Sequence, residues 1–179
     1  MTDKPSDLPK NADAPQEEQA APQIFRTINI QYVKDLSFEV PNAPLIFQQL
    51  QTETPTMQPQ IDVQARQITR EQPLYEVTLH TKIEASLPPV TPDTQAAARQ
   101  VFIVELYYCA LVTVTGAPEH ILEQILEIET PSLLFPFVRN IVNDATRDGG
   151  FPPVLLQPVD FAALWHHKRN TFAQAAGHA

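Results

Sequence analysis

From Ile28 to Val40 the chain alternates regularly enough to describe one strand, both of its faces and its end. Ile28, Ile30, Tyr32, Leu36, Phe38 and Val40 share one parity, while Asn29, Gln31, Asp35, Ser37 and Glu39 share the other. A period of two held this long describes a half-buried antiparallel strand with one apolar and one acidic face. Pro41 and Pro44 follow at once, and neither has an N–H to give to a ladder, so the strand stops there.

The same alternation recurs twice. Ile61, Val63 and Ala65 oppose Asp62, Gln64 and Arg66, and Tyr75, Val77, Leu79, Thr81, Ile83 and Ala85 oppose Glu76, Thr78, His80, Lys82, Glu84 and Ser86. Between the first two strands, a helical turn over Leu45 to Leu50 leads into a loop from Thr52 to Gln60 broken by Pro55 and Pro59, which reads as a long crossing connection. The fourth strand, Arg99 to Thr115, follows a proline-rich loop from Leu87 to Thr94 and is apolar on both faces. Val101, Ile103, Tyr107 and Leu111 oppose Phe102, Val104, Leu106, Tyr108 and Val112. Either its second face packs against another subunit, or it is a central strand covered by long loops.

After Gly116 the period becomes helical. Pro118 suits a first helical position, and Ile121, Leu122, Ile125 and Leu126 form a stripe opposite Glu119, Glu123 and Glu127. Thr130 and Pro131 read as an interruption, after which Leu134, Phe137, Val138, Ile141, Val142 and Ala145 continue to Arg147 with Pro136 as a potential kink. Gly149 and Gly150 supply the stop. An extended loop then leads to Asp160, a suitable cap for a last helix from Phe161 that carries Leu164 and Trp165.

Composition sets the outer limits. Residues 1–23 are rich in Ala, Pro, Gln and acid and nearly free of large apolar residues, so they read as a disordered arm. Residues 24–166 read as a single α+β domain and residues 167–179 as a flexible tail. The lone cysteine, Cys109, suits a reducing compartment such as the cytoplasm, and no stretch has the character of a signal peptide or a bilayer span. A net charge of −9 argues against nucleic acid or anionic lipid and favours a basic partner.

Little in the chain suggests chemistry. His166 and His167 are adjacent, which on a helix points them about 100° apart and away from chelating geometry. His80 and His120 lie on polar faces without a cluster of ligands around them, and Cys109 has no histidine close by in sequence. With only four glycines there is no phosphate-cradling loop, so nucleotide-driven action is not expected. The carboxylates read as solvent-facing rather than paired in a pocket. The chain is therefore read as a non-enzyme without metal or cofactor. Glu105 interrupts an apolar strand and reads equally as a gatekeeper against edge aggregation or as a functional charge. Asp35 and Glu39, four apart on one strand face and about 13 Å from each other, share that ambiguity.

Several segments together resemble the SecB family of bacterial protein-export chaperones: YVKDLSFEVPNAP, LYEVTLHTKIEAS, VFIVELYYCALVTV and SLLFPFVRNIVNDATRDGGFPPVLLQPVDFAALW. The resemblance implies an α+β subunit, a four-stranded antiparallel sheet with helices packed on one face, assembling as a homotetramer that is a dimer of dimers. It further implies a cytoplasmic chaperone that holds precursor proteins unfolded without ATP and delivers them to SecA, the motor of the export translocase. By motif, SecA docking would fall on Asp35, Glu39, Ile103 and Glu105. An apolar client groove near the crossing loop and helices would draw on Phe47, Leu50, Met57, Ile61, Val63 and Phe102. Two departures stand out: the terminal HHKRNTFAQAAGHA lacks acidic side chains, and LPPVTPDTQAA lengthens the loop between the third and fourth strands. A dedicated chaperone for one client, such as an antitoxin, and a non-chaperone ligand-binding or structural oligomer are the alternative readings.

Overall fold

The computed structural model describes residues 23–89 and 98–176; most of the N-terminal arm, most of the lengthened loop and the last three residues lie outside them. Strands β1 (Phe25–Glu39), β2 (Thr56–Gln67), β3 (Leu74–Leu87) and β4 (Arg99–Thr115) form one antiparallel sheet in the order β1-β4-β3-β2. The chain therefore leaves β1 at one edge and crosses to β2 at the other, making the one-turn helix α1 (Ile46–Gln49) on the way. The crossing is shorter than the sequence suggests. β2 begins at Thr56 and includes Pro59, opposite Ile83. An edge strand tolerates this proline because only one side of it needs ladder donors.

β1 departs from its simple alternation at two points. Its register against β4 shifts between Ile28 and Ile30 and again between Val33 and Asp35. Each irregularity adds a residue to β1, and one extra residue reverses the side chains beyond it. Ile30 pairs with Leu111 and Tyr32 with Cys109, so both lie on the face opposite Ile28, Leu36 and Phe38. The parity that groups Ile30 and Tyr32 with Ile28 is corrected accordingly, while Asp35 and Glu39 keep their common face.

The helical part is more continuous than the Thr130–Pro131 signal implies. Helix α2 (Glu119–Gln124) passes through a π-helical turn, Ile125–Glu129, directly into α3 (Thr130–Asp148). In that wider turn the backbone N–H and the hydroxyl of Thr130 both donate to the Ile125 carbonyl, the latter at 2.7 Å. The turn thus carries the chain past Pro131 without a break. At the far end Gly150 takes φ 87°, a conformation that favours glycine, and Gly149 lies so close to the Phe38 ring that a Cβ would strike it. Thr146 then fixes the exit, accepting the Val154 N–H at 3.0 Å while donating to the Val142 carbonyl at 2.9 Å.

The even-numbered residues of β4, from Phe102 to Val114, are buried with Val77, Leu79, Ile83, Leu134, Val138 and Val142 in the core. Among the described residues the helices cover this face: α3 packs over β4 and β3, and the π-helical turn over β3 and β2. Helix α4 (Phe161–Ala176) is capped by Asp160, whose carboxylate accepts the Ala163 N–H at 2.9 Å. It also takes in residues 167–176, which the sequence suggests are a tail. Lys168 holds it down by donating to Asp62 at 3.0 Å and to the Val63 carbonyl at 2.6 Å, and Arg169 pairs with Glu123 and lies over the Trp165 ring. No helix among the described residues is long and apolar enough to cross a membrane.

Candidate functional site: an acidic sheet face and an apolar cleft

Strand pairing fixes the other face of the sheet, which carries no helix among the described residues. Glu39 lies opposite Ile103, Ser37 opposite Glu105 and Asp35 opposite Tyr107. On the other side of β4, Ile103 faces Glu84, Glu105 faces Lys82 and Tyr107 faces His80. Directly opposed residues have Cβ atoms about 5 Å apart, so Asp35, Glu39, Ile103 and Glu105 form one patch across two adjacent strands. Asp35 and Glu39 are exposed, whereas Ile103 and Glu105 are half-buried.

Glu105 is held in place rather than left free. Its Oε1 accepts the His80 Nε2–H at 2.8 Å and the Tyr107 hydroxyl at 3.1 Å. These bonds, with the charge of Lys82, hold its carboxyl below the ordinary range despite partial burial. The His80 ring also stacks on Tyr107, with centroids 4.2 Å apart. Sequence alone does not reveal this clamp, because β3 and β4 are joined by a long loop that does not count out their register.

A second ionic group on the same face is structural. Glu76, only 4% exposed, receives Arg66 from β2 at 2.7 Å and Lys34 from β1 at 3.1 Å, together with the Tyr32 hydroxyl. Burial alone would raise its pKa, but these three donors prevail and hold it at about 2. The bulge beside Lys34 is what lets β1 present Tyr32, Lys34 and Asp35 to one face. This carboxylate corrects the view that the clear acids are all solvent-facing, yet a group locked in its charged form is a poor proton donor at neutral pH. Burial pushes the thiol of Cys109 up, and its sulfur lies 3.2 Å from the Thr78 hydroxyl, an arrangement that keeps it unreactive. Among the described residues no three His, Cys, Asp or Glu side chains cluster to hold a metal.

On the helix side, the crossing loop and the end of α3 enclose a cleft of about 450 Å³. Phe47, Leu50, Met57 and Phe102 line it, joined by Phe151, Pro152 and Pro55. Phe102 forms its buried floor at 1% exposure, while Phe47 and Met57 are exposed at its rim. Val63, 3% exposed, is core and Ile61 packs against that core, so these two candidates lie outside the cleft. Phe151 sits at the centre of an aromatic group, with ring centroids 5.0 Å from Phe102, 5.1 Å from Phe47 and 6.1 Å from Phe38. Its signal in the sequence is the apolar residue directly behind the glycine stop, a position that folds back on the preceding helix.

Comparison with known proteins identifies the family of the chain. Residues 17–171 match the family described as SecB, preprotein translocase subunit SecB. The protein-export protein SecB of Gluconacetobacter diazotrophicus is 52% identical over 158 residues, covering 88% of this chain and 91% of its own. Protein-export protein SecB 1 of Gluconobacter oxydans is 49% identical, covering 90% and 93%. Among solved structures, the SecB-like chaperone of Mycobacterium tuberculosis, determined with a peptide from the HigA1 antitoxin, shares the fold with a TM-score of 0.59 at 16% identity. It covers 75% of this chain and 90% of its own.

Proposed function

The chain belongs to the SecB family of preprotein translocase subunits, and we propose that it works as a cytoplasmic export chaperone that keeps precursor proteins unfolded and hands them to SecA. The observation that carries this reading is the convergence of Asp35, Glu39, Ile103 and Glu105 on the sheet face that carries no helix among the described residues. Three carboxylates around one apolar residue fit a basic segment that also carries an apolar side chain. SecA docks there. Such contacts are exposed and screened, so docking weakens as salt rises.

The apolar cleft takes client segments. Phe47 and Met57 offer a flexible, polarisable rim over the Phe102 and Phe151 rings, which suits sequences with little in common except hydrophobicity. Nothing in such a cleft needs nucleotide.

The assembly is a dimer of dimers. Helix α3 leaves the β1 edge uncovered, and Val33 and Leu36 of β1 remain exposed there with Leu133 and Phe137 of α3. Phe137 stacks on Tyr108, the pairing partner of Val33, so this apolar surface is continuous. It supports subunit packing on the helix side of the sheet and leaves the acidic face free.

Titrating SecA and, separately, an unfolded precursor into Asp35→Lys, Glu39→Lys and Glu105→Lys tests the site. SecA affinity should fall about two- to five-fold for each while precursor affinity is retained. Unchanged SecA affinity in all three would remove the docking assignment.

A further inference from the structure

We propose that His80 positions Glu105 for docking and makes the affinity of the acidic face for its basic partner depend on proton uptake by the imidazole. The inference rests on the docking reading above. An ionised carboxylate only accepts hydrogen bonds, so the 2.8 Å contact requires the proton on Nε2 and leaves Nδ1 as the open basic site of the neutral ring. Stacking on Tyr107 fixes the plane of the ring, and Tyr107 bonds the same carboxylate oxygen. Both local donors therefore occupy Oε1, while Oε2 meets no donor among the described residues and is free to take a cation from outside. A neutral His80 orients this carboxylate without cancelling its charge. Once protonated at Nδ1, the ring becomes a cation paired with Glu105, and the partner's cation must compete with it.

The other groups around the ring do not substitute for this pair. Asp62 of β2 lies opposite His80, but its carboxylate is engaged by Lys168 and Gln64. Lys82, next on the same face of β3, pairs with Glu84 at 2.6 Å. Asp35 of β1 lies beyond Tyr107 and remains open to the partner. Among the described residues two titratable groups touch a docking carboxylate, and since Glu105 pushes the Tyr107 phenol further up, His80 is the one of them that can gain charge near neutral pH.

The full-length protein is titrated with SecA at about pH 8 and about pH 6, either side of the range in which imidazoles commonly charge. His80→Gln keeps an N–H donor without gaining charge, and His80→Lys carries charge at both pH values. SecA titrates as well, so the ratio of variant to parent is read at each pH. His80→Gln should match the parent at the higher pH and bind about two- to five-fold more tightly than it at the lower one, whereas His80→Lys should bind more weakly at the higher pH. A second reading comes from the His80 ring resonances at the lower pH, which should move from the protonated toward the neutral form as SecA is added. If Glu39→Lys weakens docking but His80→Gln and the parent keep one ratio at both pH values, the proton linkage is wrong and the docking face stands. If Glu39→Lys also has no effect, the docking face itself is wrong.

Discussion

Glu76 is where the sheet should respond most visibly to a single change. The substitution Glu76→Gln keeps the volume and a hydrogen-bond acceptor but removes the charge that Arg66, Lys34 and Tyr32 surround. A carboxyl held at about 2, against an ordinary 4.5, favours the folded protein by about 3 kcal/mol at neutral pH. Because the folded pKa is the lower one, this contribution is complete above the unfolded value. It fades as pH falls from 4.5 toward 2. The variant should therefore be about 2 to 3 kcal/mol less stable near pH 7, with the gap narrowing below about pH 4 as the parent loses what the variant never had. Urea unfolding followed by circular dichroism, at one protomer concentration for both proteins, measures the gap at each pH. Glu105 and other acids also titrate, but they are common to both proteins and cancel in the difference. A gap that stays constant from neutral to acid pH, or no gap at all, would refute the argument that charge capture by β1 and β2 ties both edges of the sheet to its centre.

Three further outcomes follow from the packing. Thr146→Val should cost about 1 to 3 kcal/mol, because it leaves the Val154 N–H without its acceptor, and amide exchange at Val154 should accelerate selectively. Met57→Glu places a charge on the rim of the apolar cleft and should weaken binding of an unfolded precursor at least several-fold while leaving SecA affinity intact, measured by titration with each partner. Light scattering on a size-exclusion peak at micromolar concentration should report about four subunits, and a monomer would contradict the assembly proposed from the uncovered β1 edge.

Much of this was legible in the residues, and the gaps have identifiable causes. β3 and β4 could be read nearly to their ends, because these central strands keep a period of two over most of their length, the register between them shifting at Ala85 and Ser86. β1 could be read as a strand but not for its faces. Bulges leave no composition signature in Asn29 or Lys34, and only the pairing with Leu111 and Tyr107 reveals them. β2 was hidden in part by Pro59, which argues against a central strand but is compatible with an edge. Asp35, Glu39, Ile103 and Glu105 could be grouped by parity and resemblance. The His80 and Tyr107 clamp depends on register across a long loop, which sequence periodicity does not supply. In the cleft, Phe47 and Met57 were separable from core only once exposure was known, and Val63 shows the other outcome for the same kind of residue.

Refolding kinetics show most directly whether the chain holds precursors unfolded without nucleotide. A denatured secretory precursor is diluted into native buffer with a stoichiometric amount of the protein, with and without ATP, and the return of its native fluorescence is followed. Refolding should be slowed to the same extent in both conditions, because the apolar cleft is proposed to bind client segments through burial alone. Refolding at the unassisted rate, or retardation that appears only with ATP, would contradict it.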